Sequence, residues 1–282
     1  MGELVLAAKV THVPSLMLSE QLEPLKGTRD GPIDSLKTLG KRARERGADC
    51  FVVFDTHWIS NFGFHINANE WHRGIYTSPE APQMIHGLSY DFPGNPELAD
   101  LIAAETARTG PLALAHQVPT LPVEYGTIVP MHYMNNDQSC SVVPIASPVF
   151  ASIDENRRFG EAVRRAIVKS KSKVAVLASG SLSHMLFPND QLGPEAWNRI
   201  SSEFNRQMDL RVLDLWRERR YAEFCKMLPD YTRKCSGEAL MADTVMLFGA
   251  LGWDRYSGAS EQLCEYFPSS GSGQVTVEFT VN

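Results

Sequence analysis

The chain has 282 residues, 43% of them hydrophobic and 21% charged, enough apolar material to build the core of one large domain or two small ones. The formal net charge is −6, and the one basic cluster, Lys41-Arg42-Ala43-Arg44-Glu45-Arg46, lies on a predicted helix with an acid inside it; it reads as a solvated face, and nucleic-acid binding is disfavoured. No apolar run approaches the about 18 residues of a membrane span, and the N-terminus opens on a strand without a secretory pattern.

Residues 4–11 read as the first strand, leaving through His12-Val13-Pro14-Ser15, where Pro14 biases Val13 away from helix. Residues 16–31, polar and rich in Gly and Pro, are expected to be a loop. Asp34 to Arg46 has the apolar stripe Leu36, Leu39 and Ala43 of a helix, with Asp34 as its cap and Gly47 as its end. Phe51-Val52-Val53-Phe54 is an unbroken apolar run that stops at Asp55-Thr56-His57, the pattern of a strand buried on both faces. Residues 59–97 look irregular, with Phe64-His65-Ile66 as a short strand, and a loop of this length reads as a pocket wall or a subunit contact. His65, His72 and His86 fall there and read as surface residues.

Asn95-Pro96-Glu97 opens a helix running to about Thr109. Residues 112–134 carry a polar cluster: His116, Gln117, Glu124, Tyr125 and Gly126-Thr127. Residues 141–147 form a strand, and residues 155–169 a helix capped by Asp154. Residues 174–178 form another strand, followed by Ser179-Gly180-Ser181-Leu182-Ser183-His184. A long amphipathic helix is expected over 195–216, a short one over 221–228, an apolar one over 241–251 just after Gly237-Glu238, and a final strand over 275–281. Five cysteines (Cys50, Cys140, Cys225, Cys235 and Cys264) are dispersed without a CxxC pair, which indicates reduced thiols and a cytoplasmic protein. No repeat or change of composition marks a boundary. Residues 1–282 are therefore expected to form a single α/β domain: a central, mostly parallel or mixed sheet flanked by helices, with a metal site at the strand ends.

That site follows from a recurring pattern. Three times an apolar strand is followed by a polar step and a histidine: His12, His57 and His184. Parallel neighbouring strands would gather the three imidazoles at one end of the sheet, where α/β proteins place their sites. Glu238, entering an apolar helix, reads either as a plain helix-N-terminal acid or as a metal ligand. Two neutral imidazoles and a carboxylate form a facial triad that leaves positions open for a substrate and O₂, which suits Fe(II). His12, His57 and Glu238 would supply it, and His184 would be free to move a proton. The same donors also serve catalytic zinc, and three histidines could hold zinc in a lyase. Asp55 reads either as the group that orients a ligand imidazole or as a turn residue.

Thr11-His12-Val13-Pro14-Ser15, Phe54-Asp55-Thr56-His57-Trp58, Gly180-Ser181-Leu182-Ser183-His184 and Gly237-Glu238 resemble the motifs of the class III (LigB-type) extradiol ring-cleaving dioxygenases. The likeness extends over essentially the whole length, through Glu124-Tyr125-Gly126-Thr127, Asp243-Thr244-Val245-Met246-Leu247 and Phe267-Pro268-Ser269-Ser270-Gly271. It implies that His12, His57 and Glu238 bind Fe(II), with Mn(II) accepted by the same donors, and that His184 is the acid–base. It implies a homo-oligomer acting on a catechol with O₂, 3,4-dihydroxyphenylacetate being the expected substrate. Protocatechuate, dihydroxyphenylpropionate and 2-aminophenols are the alternatives. A non-catalytic interaction protein or a zinc hydrolase would be rivals of another class. Some relatives have a further active-site histidine ahead of the Glu-Tyr motif; here that place falls at Gln117, with His116 beside it, and either Gln117 takes the place as a neutral hydrogen-bond donor or His116 reaches it by a shift of register, as a substrate contact or a support of the site.

Overall fold

The computed structural model describes residues 1–23, 25–193 and 195–281. Four strands form the middle of the molecule: β1 (Glu3–Val10), β2 (Cys50–Ser60), β7 (Ser141–Pro148) and β8 (Lys173–Ser179). They lie side by side and parallel in the order β7-β2-β8-β1. Their near-continuous apolar sequences follow from burial on both faces. Alternate residues serve opposite faces: Val52 and Phe54 join one core cluster, Phe51 and Val53 the other. In β1 the pairing with β8 slips between Leu4 and Leu6, and Val5 and Leu6 then face the same side.

The sheet grows to eight strands at its flanks. On one side stand β3 (Phe64–Asn67), antiparallel to β7, and β6 (Ala113–His116) at the edge. On the other are β12 (Val277–Phe279), antiparallel to β1, and β9 (Ser260–Gln262). The sheet is therefore mixed around a parallel centre. One face is covered by α3 (Pro96–Ala107), α5 (Ile153–Lys169) and α8 (Ala242–Leu251), joined by α6 (Glu203–Arg217) and α7 (Tyr221–Lys234). The other carries α2 (Asp30–Glu45) and α4 (Tyr125–Met134).

Several boundaries differ from the sequence expectation. Residues 16–31 hold a short helix, α1 (Ser15–Gln21), whose Leu16, Met17 and Leu18 are buried. Helix α2 starts at Asp30, so Asp34 lies inside it. Helix α5 is capped by Ser152 in a reciprocal pair with Glu155, which displaces Asp154 from the cap. The region expected as one helix over 195–216 is a short 3₁₀ turn (Ala196–Asn198) followed by α6, where Ser202 accepts from the Asn205 N–H. The 59–97 segment is more regular than its composition indicates. Strands β4 (Trp71–Tyr76) and β5 (Leu88–Pro93) form a hairpin whose connection, residues 77–87, reaches over the ends of β1 and β2. All five cysteines are unpaired, four of them buried. No helix of the described residues is long and apolar enough to cross a membrane.

Candidate metal centre

The pairing register decides what meets at the strand ends. Val10 of β1 and Asp55 of β2 both stand opposite Ser179 of β8. His12 and His57 each lie two residues beyond that row, so both imidazoles arrive at the same level. Their rings meet edge to face, with centroids 4.8 Å apart. Glu238 comes from elsewhere. Ser183 and Gly237 form an isolated antiparallel bridge, and the Glu238 N–H donates to the Leu182 carbonyl at 3.3 Å. This lays the acid against the Gly180–Ser183 loop. The turn after it places Ala239, Leu240 and Met241 at φ 44°, 57° and 62°, three successive left-handed residues that aim Glu238 inward before α8 begins. The helix expected from Met241 thus begins one residue later, at Ala242, after a strained turn that includes Met241.

Glu238 Oε1 lies 3.4 Å from both His12 Nε2 and His57 Nε2. One donor atom from each of His12, His57 and Glu238 fits within a span of 4.8 Å, a donor set fit for one divalent ion. The second nitrogens are fixed from behind. Ser179 Oγ donates to the Gly126 carbonyl, so it accepts from His12 Nδ1–H at 2.9 Å, and His12 Nε2 is left to face Glu238, where its lone pair would serve a bound cation. His57 Nδ1 faces Glu80 Oε2 at 3.4 Å, the carboxylate–imidazole pairing that strengthens a metal ligand. The Glu238 carboxylate is held by the Thr56 hydroxyl and the Ser181 N–H. Burial opposes its charge, but the imidazoles of His184, His12 and His57 outweigh burial and keep its pKa well below the carboxylate range. Burial likewise opposes charging of His57; Glu238 and Glu80 override it and raise the imidazole to about 10 before any cation is bound.

The centre opens into a cavity of about 200 Å³ lined by His12, His57, Glu238, Tyr125, Met84 and His184 among others. The Tyr125 ring lies against that of His57, tilted by 33°, with centroids 3.8 Å apart. His184 is set by its backbone. Its N–H donates to the Ser236 carbonyl at 3.0 Å, and the preceding Ser183 is clamped by Asp209. Asp209 also accepts from Tyr231 and Tyr266, so four donors satisfy a buried carboxylate and fix the loop.

Three expectations change here. Asp55 does not touch the imidazole of His57. Its Oδ1 accepts the His57 and Trp58 N–H groups at 2.8 and 3.2 Å, and its Oδ2 accepts from Thr127 at 2.7 Å. It ties the strand end to α4; a Cβ on Gly126 would lie 2.1 Å from Asp55 Oδ1, so glycine is needed there. Glu80 instead faces the imidazole, and nothing in the local sequence marks it out. His116 lies outside the metal cavity, its Nε2 2.6 Å from His65 Nδ1 in a separate apolar groove. Gln117 lines yet another hollow. His72 is buried against the Val142 carbonyl rather than on the surface, and His86 is exposed.

Beneath the centre lies an ion pair that the sequence did not reveal, Lys9 with Asp243, both fully buried. A Cβ on Gly180 would come 2.8 Å from Asp243 and 3.1 Å from Lys9, which explains the glycine of the Gly-Ser-Leu-Ser-His run. Removing one member of such a pair strands the other at a cost of about 3–5 kcal/mol.

With this geometry in view, comparison with known proteins is decisive. Residues 6–280 match the family model of the catalytic LigB subunit of aromatic ring-opening dioxygenase. The chain belongs to this family. This LigB chain is 50% identical over 261 residues, 92% of its length and 94% of the relative's, to the 3,4-dihydroxyphenylacetate 2,3-dioxygenase of Escherichia coli. It is 25% identical over 293 residues to the beta subunit of a 2-aminophenol 1,6-dioxygenase from a Pseudomonas species, covering 99% of this chain and 95% of that one. An uncharacterized protein of Escherichia coli K12 has a crystal structure with a TM-score of 0.68 at 16% identity, covering 98% of this chain and all of that one, and shares the fold. The LigB chain is accordingly a ring-cleaving dioxygenase, an oxidoreductase of a metal-dependent family, with a His-His-Glu cluster at its strand ends.

Proposed function

We propose that this chain opens the ring of 3,4-dihydroxyphenylacetate with O₂, giving 5-carboxymethyl-2-hydroxymuconate semialdehyde, and that the whole of residues 1–282 is one domain built for that reaction. The observation that carries the substrate is the 50% identity to a dioxygenase of that name across nearly the full length. The metal is Fe(II), held by His12 Nε2, His57 Nε2 and the Glu238 carboxylate; Mn(II) suits the same donors. The bound ion supplies the electron path between the catechol and O₂. The remaining work belongs to the chain.

Val13, Pro14, Met84 and Leu186 give the cavity apolar wall, which orders the aromatic ring and excludes water. Tyr125 keeps His57 in place by close contact between the rings, and Glu80 keeps its tautomer. His184 takes the proton of a catechol hydroxyl on an imidazole nitrogen and returns it when the ring opens, a role an imidazole fills because its two ring nitrogens can accept and donate.

The test is an oxygen-electrode assay of Fe(II)-loaded protein with 3,4-dihydroxyphenylacetate, with the yellow ring-opened product followed in parallel. Equimolar O₂ uptake and product are expected. Uptake with other catechols or with 2-aminophenol alone would move the substrate; the 25% identical aminophenol relative favours that second reading. No uptake with any of them at full metal loading would sink the proposal. The chain is also read as a cytoplasmic homo-oligomer. The unpaired cysteines support the location. The exposed Phe62, Leu112 and Leu114 beside edge strand β6 support self-association, as does the relative that is itself a subunit.

A further inference from the structure

Arg29, just ahead of α2, is 3% exposed, with its guanidinium between the rings of Trp197 and Phe267 at 4.9 and 4.8 Å. It donates to Ser15 Oγ (3.2 Å), Asn198 Oδ1 (3.2 Å) and the carbonyls of Trp197 (3.3 Å) and Pro268 (3.1 Å). Every one of these acceptors is neutral. Among the described residues no carboxylate pairs with Arg29, and burial pulls its pKa down to about 10 with no acid to raise it again. A buried cation without a counter-charge is costly, so an anion arriving beside it is favoured.

The hydrogen bonds lead from this cation to the metal cavity. A guanidinium only donates. Ser15 Oγ therefore accepts from Arg29 and also shares a hydrogen bond with Ser269 Oγ, 3.2 Å away, in which either hydroxyl can donate. When Ser15 donates, Ser269 Oγ accepts, and its own proton is left for a further acceptor. Ser15 and Ser269 both line the metal cavity, beside Ser270 and Ser272 of the β10–β11 hairpin (Phe267–Ser269 and Ser272–Gln274). The hairpin is held by its own backbone: the Ser270 and Gly271 N–H groups donate to the Trp197 and Arg199 carbonyls. The Ser272 hydroxyl donates to the Ser269 carbonyl, so the Ser269 hydroxyl, rather than these amides, is what the hairpin offers a ligand. Among the described residues the cavity's lining includes Glu80 and Glu238 but no lysine or arginine. A substrate carboxylate would be repelled by those acids and needs a donor wall of its own.

We propose that Ser15 and Ser269, polarised by Arg29 behind them, form a carboxylate subsite of the metal cavity that selects catechols with an anionic side chain over neutral ones. The proposal rests on the ring-cleavage reading above. Ser269 is the contact; Arg29 acts through Ser15 as a positioning residue. A purely structural Arg29, clamping the Trp197–Asn198 segment to the hairpin, would affect all substrates alike.

The experiment measures kcat and KM for 3,4-dihydroxyphenylacetate and for 4-methylcatechol in Fe(II)-loaded wild type, R29Q, R29K and S269A. The wild type is expected to prefer the acid. In R29Q the ratio of the two kcat/KM values falls by about tenfold or more, the scale of one charge-assisted hydrogen bond, through the KM of the acid. S269A moves the ratio the same way, and R29K restores part of it. A parallel fall for both substrates, with the ratio kept within about twofold, overturns the subsite. So does a wild type with no preference for the acid. Should R29Q fail to show a folded melting transition, S269A decides by the same criterion. A metal-loaded wild type inactive on both catechols would overturn the ring-cleavage reading, and the subsite with it.

Discussion

His57 and Trp58 are consecutive residues of β2 that line different cavities. His57 belongs to the metal cavity of about 200 Å³, Trp58 to a groove of about 630 Å³ shared with Phe62, Leu112, Leu114 and the His65–His116 pair. The larger space is mostly apolar. The smaller one gathers imidazoles, carboxylates and hydroxyls at the ends of parallel strands. The two also shift their histidines in opposite directions: His57 is raised by Glu238 and Glu80 against the pull of burial, while His116 is lowered by burial and then by its neighbour His65. Size therefore does not locate the chemistry here. Convergent, desolvated polar groups with opposing charges do.

The contrast can be broken from either side. The largest effect is expected from Glu238→Ala or His12→Ala, which should lose both bound iron and turnover to background; metal analysis with O₂ uptake checks it, and wild-type iron content would remove either residue from the ligand set. Next comes His184→Phe, expected to retain iron while turnover falls by about 10²–10⁴-fold, the range of a lost acid–base group. An unchanged rate would take His184 out of the mechanism. Glu80→Gln should weaken iron affinity or turnover by about 10–100-fold, because it removes only the partner of a ligand imidazole. A competitive chelator titration measures it, and equal affinity would mean that the exposed Glu80 carboxylate contributes nothing. The smallest effect is expected in the groove. Leu114→Ser should leave kcat/KM within about twofold while sedimentation shifts toward smaller species, since a polar residue weakens an apolar contact surface. A large loss of turnover without a change in mass would place the groove in the chemistry and dissolve the comparison.

The legibility of the site also divides along these lines. The sequence by itself determined the central strands, because unbroken apolar runs such as Phe51–Phe54 and Val174–Ala178 fit a strand buried on both faces and little else. It also determined that His12 lies just past its strand and that His57 closely follows its apolar run, although β2 itself continues to Ser60 with its pairing to β7 broken between Asp55 and Ile59. The motifs of the family were visible for the same reason: they are local. The hairpin of β4 and β5 was not visible, because Gly- and Pro-rich, aromatic sequence of that kind suits a turn-rich loop equally well. Nor was the place of Asp55, whose carboxylate lies as near in sequence to the His57 ring as to the backbone N–H groups it binds.

Tertiary structure alone decided which side chains meet. Glu238 reaches the histidines through one bridge to the Gly180–Ser183 loop, and Glu80 through a hairpin connection. Asp243 finds Lys9 from 234 residues away. It also sent His116 and Gln117 elsewhere, since β6 lies at the edge of the sheet with β3 and β7 between it and β2. Periodicity reports what a segment does to its own neighbours. Proximity between distant segments is set by sheet order, register and the way each loop closes, and those emerge only when the whole core packs.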